Sequence, residues 1–167
     1  MTDTPTKDLM PLAEIAAMSG LDYMQGMIEG RYPAPSIAAT MGFTGHSVTE
    51  GRAVFRGTPE RHVMNPLGTV HGGWYGTILD SALGCAVMTR LQAGQAYTTL
   101  EYKINITRAI RPGTEVECWA EVDHFGRSTA VAHGEIRGLE DGKLYATGST
   151  TCIIMDVARG YNSSNPV

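Results

Sequence analysis

Two hydrophobic periods alternate along this chain, and the places where one gives way to the other outline its elements. In the first forty residues Leu12, Ile15, Ala16 and Met18, then Leu21, Met24, Met27 and Ile28, recur at helical spacing, which predicts a helical preface. Tyr32-Pro33-Ala34-Pro35 ends it, because proline lacks an amide donor and holds its predecessor extended. A single strand is expected over 48–57, stopping before Pro59, and an irregular stretch follows through Asn65-Pro66 and Gly68. From Gly72 to about Leu91 the helical period returns in one long helix. Tyr75, Ile78, Leu79, Ala82, Leu83 and Ala86 form a broad apolar face, whereas Gly73, Thr77, Asp80 and Gly84 make a narrow stripe of small residues around one carboxylate. Such a helix expects two neighbours, a sheet on the apolar side and a partner surface on the small-residue side.

Beyond that helix the period is two. Thr98, Leu100, Tyr102, Ile104 and Ile106 alternate with Thr99, Glu101, Lys103, Asn105 and Thr107, describing a strand with one buried face. Arg111-Pro112-Gly113 turns the chain into a second strand, where Val116, Cys118, Ala120 and Val122 alternate with mostly acidic positions. Gly126-Arg127 turns it into a third over 131–137, and Asp141-Gly142 is a hairpin signal leading to a fourth over 144–155. One strand, a long helix and a meander of four strands make an α+β plan, an antiparallel sheet wrapped round a central helix. The expected division is a helical arm over 1–41, a main domain over 42–157 and a loose tail over 158–167.

Composition narrows the function classes. At 167 residues and 43% hydrophobic content the chain suits one domain with a real core. A formal net charge of −4 with 18% charged residues leaves no general footprint for nucleic acid, so a polyanionic ligand needs a local basic patch. Cys85, Cys118 and Cys152 form no C-x-x-C pair and sit in apolar runs, which reads as free buried thiols in a reducing, cytoplasmic setting. The polar start MTDTPTKDLM and the absence of any apolar run near 18 residues predict neither export nor a membrane span. No histidine or cysteine spacing fits zinc, and no phosphate-binding glycine loop is present, so no metal and no free nucleotide cofactor are expected. Five of the nine methionines fall between positions 10 and 41, where flexible thioethers suit either core filling or a pocket wall of variable shape.

The candidate chemistry gathers at the start of the long helix. Asn65-Pro66-Leu67-Gly68-Thr69-Val70-His71-Gly72-Gly73 leads into it, and the two glycines let backbone amides approach a ligand at the positive end of the helix dipole. His-Gly-Gly also occurs in the oxyanion loop of α/β hydrolases. Here, however, there is no G-x-S-x-G elbow and no parallel βα alternation. Asp80 lies mid-helix, where aspartate has poor propensity, among glycines that an exposed face seldom carries together. Gly72 and Asp80 are about 12 Å apart along the axis, too far to act on one carbonyl. An antiparallel pairing of two such helices across a two-fold axis brings Asp80 of one subunit to the Gly72 terminus of the other.

On these residues the chain resembles the hotdog-fold thioesterases, specifically the branch similar to the phenylacetate-pathway enzyme PaaI and its mammalian acyl-CoA thioesterase relatives. The pattern N-x-x-G-x-x-H-G-G followed by a helical aspartate appears as Asn65, Gly68, His71, Gly72, Gly73 and Asp80, with Thr98 opening the next strand and Arg111-Pro112-Gly113 in the following turn. The resemblance covers about 42–156. It implies a helix-wrapping sheet, a homodimer that often pairs into a dimer of dimers, and acyl-CoA hydrolysis without metal or bound cofactor, coenzyme A entering only with the substrate. Carried over, it makes Asn65 and the Gly72 amide polarise the thioester carbonyl while Asp80 activates water or attacks directly. It makes His71 orient the loop and Thr98, turned toward the helix, position the water. Gly73, Trp74 and Tyr75 are expected to shape the acyl pocket. Arg108, Arg111, Arg127 and Lys103, with Gly126 and Ser128 in the adjoining turn, are candidates to meet the coenzyme A phosphates. An aromatic or a medium-chain acyl group both fit, and a methionine-rich arm is expected to help close the pocket. The rival readings are a non-catalytic acyl-CoA-binding module and a hotdog hydratase.

Overall fold

Six antiparallel strands wrap around one long helix in the computed structural model, which describes residues 9–157. The arm supplies three short helices, α1 (Leu12–Ile15), α2 (Gly20–Ile28) and α3 (Ser36–Met41). Strands β1 (Phe43–Thr49) and β2 (Arg52–Gly57) precede the long helix α4 (Gly72–Met88). Strands β3 (Gln95–Ile106), β4 (Val116–Phe125), β5 (Thr129–Gly138) and β6 (Leu144–Asp156) follow it. Their order across the sheet is β1-β2-β4-β5-β6-β3. The expected α+β plan with a sheet round a central helix is therefore present. No helix among the described residues is long and apolar enough to cross a membrane.

Three details differ from the periodicity. The single strand over 48–57 is a hairpin, β1 paired with β2, because Gly51 at φ 77° takes the left-handed turn conformation that glycine favours. The prolines do not end the helical arm, since Pro35 occupies the N-cap of α3, where no amide donor is needed. β3 also lies outside the meander: β4, β5 and β6 are consecutive neighbours, whereas β3 pairs with β6 at the far edge. Alternation reports which face of a strand is buried and carries no information on its partner.

The expected apolar face of α4 is fully buried, with Ile78, Leu79, Ala82, Leu83 and Ala86 at 0% exposure. Small sheet residues let it sit close, among them Ala120, Ala132 and Ala146. A Cβ on Gly148 would already press on both Leu79 methyls at 3.2 Å.

The arm is docked by backbone contact. The Gly20 amide donates to the Leu91 carbonyl at 3.0 Å, and the Gly94 amide to the Ala16 carbonyl at 2.7 Å. A Cβ on Gly20 would collide with the Met88 carbonyl, which belongs to α4 and cannot move aside. Gly20→Ala is accordingly expected to destabilise the protein by about 1–3 kcal/mol in urea unfolding, the cost of overpacking. That clash outweighs the propensity gain of alanine over glycine, about 1 kcal/mol. An unchanged unfolding midpoint would show that α2 is not held in this seat.

Candidate active site

The loop before α4 is stitched by one side chain. Asn65 Oδ1 accepts from the Leu67 amide at 2.9 Å and the Thr69 amide at 3.2 Å, while Nδ2 donates to Thr69 Oγ1 at 2.9 Å and the Val70 carbonyl at 3.4 Å. Asn65 thus organises the loop that leads to the Gly72 terminus. Its neighbour Gly68 takes φ 79°. His71 is the N-cap of α4, where Nδ1 accepts from the Gly73 amide at 2.9 Å. This leaves the Gly72 amide at the first helical position, where a helix provides no acceptor of its own. It faces a cavity of about 300 Å3 lined also by Asn65, Tyr75, Ile106 and Arg108.

Trp74 and Tyr75, expected to shape an acyl pocket, are each 1% exposed. Trp74 Nε1 donates to the Met41 carbonyl at 2.7 Å. The Tyr75 hydroxyl accepts from the Ile110 amide at 2.6 Å and donates to the Arg108 carbonyl at 3.1 Å. Both rings therefore anchor the helix start. Tyr75 reaches the cavity only as part of its floor, and Trp74 sits behind a second hollow of about 310 Å3 with His62, His71, Gly73 and Thr77.

Two turns further along α4, Asp80 is half-buried, and Thr99 Oγ1 donates to its Oδ1 at 3.1 Å. Thr98, the residue expected to face the helix, points away and is exposed. The cause is a β-bulge: Thr99 opposes Cys152 and Glu101 opposes Thr151, so Leu100 is an extra residue that reverses the parity of β3. Before the bulge Tyr97 and Thr99 face α4. After it Tyr102, Ile104 and Ile106 do, as expected from the alternation, opposite Thr150, Gly148 and Ala146 of β6. Lys103 lies on the outer face, away from Asp80.

The same strand accounts for the small residues of α4. Tyr102 lies over Gly76, whose added Cβ would come within 3.2 Å of the ring hydroxyl, and Tyr97 lies over Gly84 at 2.6 Å. Gly76 and Gly84 thus admit tyrosines of their own chain. Gly73, Thr77, Asp80 and Ser81 remain on the open side. Thr77 and Ser81 fold their hydroxyls onto carbonyls one turn back, at 2.8 and 2.9 Å.

Electrostatically Asp80 sits among weak acids. Burial pushes its carboxyl above the usual aspartate range, and the Thr99 hydrogen bond offsets this only in part. Its charge in turn raises Cys85, Tyr97 and Cys152, each already raised by burial, Cys85 to about 12. A desolvated carboxylate with neutral neighbours is a stronger base than a free one, the property a general base requires.

The remaining candidates divide between the two ends of α4. Asn65, His71, Gly72 and Gly73 gather at its N-terminus with the exposed Arg108 and, after Ile110, Arg111. Gly126, Arg127 and Ser128 form the β4–β5 turn, where the Ser128 carbonyl accepts from the Ile154 amide at 2.9 Å, in the register of Thr98 and Ile153. A cavity of about 850 Å3 lies under the arm between Met27, Ile28, Ala38 and Phe43, with no described lining residue on α4 or β3. Of the arm methionines, Met24 is buried in the core, Met27 lines that cavity and Met41 lines the hollow beside His71, Gly73 and Thr77. Thr99 and Tyr97 are the residues near Asp80 that alternation missed, because the bulge leaves no trace in it.

Residues 67–145 match the profile of the Thioesterase superfamily. A conserved protein of Pseudomonas aeruginosa is 32% identical, with 73% of this chain and 95% of that one covered and a TM-score of 0.68. The chain belongs to the thioesterase superfamily. A phenylacetic acid degradation-related protein of Ralstonia eutropha JMP134 is 29% identical over 78% of this chain and 98% of its own, with a TM-score of 0.72. A Caenorhabditis elegans protein named "putative esterase" is 29% identical over 119 residues, 71% of this chain and 69% of that protein. As a member of this superfamily the chain is a thioester hydrolase with a hotdog fold, of the PaaI-like kind.

Proposed function

We propose that this thioesterase hydrolyses an acyl-coenzyme A carrying an aromatic or medium-chain acyl group, working as a homodimer with shared sites. The observation that carries the reading is Asp80, a half-buried carboxylate held by Thr99 on the open side of α4 and surrounded by neutral acids. Water adds to the thioester carbon as Asp80 takes its proton. The oxyanion develops toward the Gly72 amide at the helix terminus, and collapse expels coenzyme A as a thiol with the proton returned from Asp80. In the variant where the carboxylate attacks directly, a mixed anhydride forms and coenzyme A leaves first, and a single turnover in labelled water places the label in Asp80 where water opens the anhydride at the Asp80 carbonyl, or in the product acid where it attacks the acyl carbon.

Gly72 and Asp80 of one chain are about 12 Å apart along the axis, so the two groups must come from different copies. β3 supports this: it is a 12-residue edge strand on which Leu100, Tyr102 and Ile106 are 56%, 47% and 47% exposed. Gly72 lies against Ile106 and Asp80 against Thr99. An antiparallel pairing of two β3 strands therefore joins amide to carboxylate when its two-fold axis passes midway, beside Tyr102 and Lys103.

The test is thiol release from a panel of aromatic and straight-chain acyl-CoAs. Turnover supports the reading. Binding without turnover points to an acyl-CoA-binding module, and water addition to an enoyl-CoA points to a hydratase. The hydratase needs a histidine that moves a proton beside the carboxylate, whereas His71 commits its Nδ1 to the Gly73 amide at the helix cap.

The pH profile reads the same site. Asp80 works ionised, so activity rises with pH through its raised pKa. Thr99 hydrogen-bonds the ionised form and lowers that pKa. Thr99→Val therefore moves the acid limb of kcat/KM to higher pH, with Cys85, Tyr97 and Cys152 remaining neutral around it. Thr98→Val leaves the limb in place. Equal profiles for the two variants would remove Thr99 from the site.

A further inference from the structure

Two polar side chains are buried among the described residues, Thr89 and Thr150, at 4% and 1% exposure. A buried hydroxyl costs free energy unless it is hydrogen-bonded, so each needs a partner. Thr89 serves the fold. Its Oγ1 donates to the Ala86 carbonyl and accepts from the Gly51 amide, both at 2.7 Å, and so ties the end of α4 to the β1–β2 turn. Thr150 closes no helix. It lies mid-strand in β6, and its Oγ1 donates across to the Glu101 carbonyl of β3 at 2.7 Å.

Glu101 is where β3 resumes its pairing after the extra residue Leu100. Thr99 and Tyr102 both face α4, so Leu100 and Glu101 between them both point outward. Two successive threonines of β6 grip Glu101. Thr150 holds its carbonyl from the core side, and Thr151 Oγ1 donates to its carboxylate at 3.0 Å on the outer face. The grips differ in strength. The Thr151 contact is exposed and exchanges with water, whereas the Thr150 hydroxyl lies where solvent does not replace it. Thr150 is also close to the far side of the bulge, since its Oγ1 lies 4.0 Å from Sγ of Cys152, the residue directly opposite Thr99. Without the extra residue, the side-chain parity of the strand would turn Thr99 away from α4.

We propose that Thr150 is a positioning residue for hydrolysis: by holding the Glu101 carbonyl it fixes the bulge at Leu100, and the bulge keeps the Thr99 hydroxyl on Asp80. Thr150 touches no reacting atom. Its link to catalysis rests on the reading of Asp80 as the base, whereas its hold on Thr99 does not.

The test therefore follows Asp80 in two ways on the full chain. One is the acid limb of kcat/KM for acyl-CoA hydrolysis, and the other is the Asp80 carboxyl carbon titrated by NMR, which needs no turnover. Among the described residues the titratable groups that interact with Asp80 are Cys85 on α4, Tyr97 on β3 and Cys152 on β6, each raised by burial and neutral across that limb. Thr150→Val keeps the shape of the side chain and removes the hydroxyl. It moves both readouts to higher pH, in the direction of Thr99→Val, because Asp80 loses the bond that favours its ionised form. Thr150→Ser, which keeps the hydroxyl, and Thr151→Val leave both in place. Added to Thr99→Val, Thr150→Val gives no further shift. If Thr150→Val does not fold by circular dichroism, Thr150→Ala carries the same comparison. A folded variant with both readouts unmoved, or with a shift that adds to that of Thr99→Val, overturns the proposal. A moved NMR titration in a protein that releases no thiol from any acyl-CoA upholds the hold on Thr99 and overturns the acyl-CoA reading instead.

Discussion

Asp80→Asn lowers kcat for acyl-CoA hydrolysis by about a hundredfold or more and leaves the fold intact, the loss that removal of a general base entails. The substitution keeps the shape of the side chain and its capacity to accept the Thr99 hydrogen bond, and it removes the proton-accepting carboxylate. Stability is spared for a reason that follows from the sign of the pKa shift. Burial raises the Asp80 pKa, so the folded state holds the proton more tightly than the unfolded chain. The ionised group then opposes folding at pH values above its raised pKa and is neutral to folding below the unfolded value. A neutral isostere at pH 7 removes that opposition. Steady-state thiol release and a thermal melt on the same preparation check both halves. An Asn variant within about threefold of wild type in kcat would assign the reaction to another residue. A collapsed melt would make Asp80 a structural group.

Trp74→Ala carries the largest expected cost in stability, about 3–5 kcal/mol in urea unfolding. Trp74 is among the largest fully buried side chains, and three parts of the chain meet on it. Its Nε1 donates to the Met41 carbonyl at the end of the arm. Its ring lies 3.1 Å from where a Cβ on Gly57 would stand, at the end of β2, and it packs edge-on against Tyr75 with centroids 6.1 Å apart. Alanine leaves a cavity and an unpaired carbonyl together. Trp74→Phe restores most of the volume and retains only the hydrogen-bond loss, so it falls between the two. Because Trp74 directly follows Gly72 and Gly73, the alanine variant also loosens the helix terminus that faces the reaction. Loss of stability below about 1 kcal/mol would mean that the arm and β2 are secured to α4 by other contacts.

Much of this molecule is readable from local pattern. The buried face of α4 follows from apolar residues repeating every three or four positions, and each of them is in the core. The turn at Asn65 and the cap at His71 are short-range hydrogen-bonding devices whose partners lie within five residues, inside the irregular stretch expected before α4. Asp80 stood out for the converse reason, as a poor helix former among residues too small for a solvated face.

Long-range pairing is where local pattern ends. Nothing in the alternation of 98–107 reveals that β3 leaves the meander to pair with β6, because side-chain parity is the same whichever strand lies alongside. The extra residue at Leu100 is equally silent in the sequence. A bulge is defined by the partner strand, two residues against one, and it exchanges the faces of everything before it. That exchange puts Thr99 in place of Thr98 on Asp80, and it brings Tyr97 over Gly84, at one end of the small-residue stripe. The arm shows the same division. Its helical period is local, but its seat on α4 depends on the fit of Gly20 to a carbonyl some seventy residues away. Residue type and spacing therefore settle which groups can do the chemistry. Register and close packing between distant segments settle which of them meet, since those contacts form only once the whole sheet has closed on the helix.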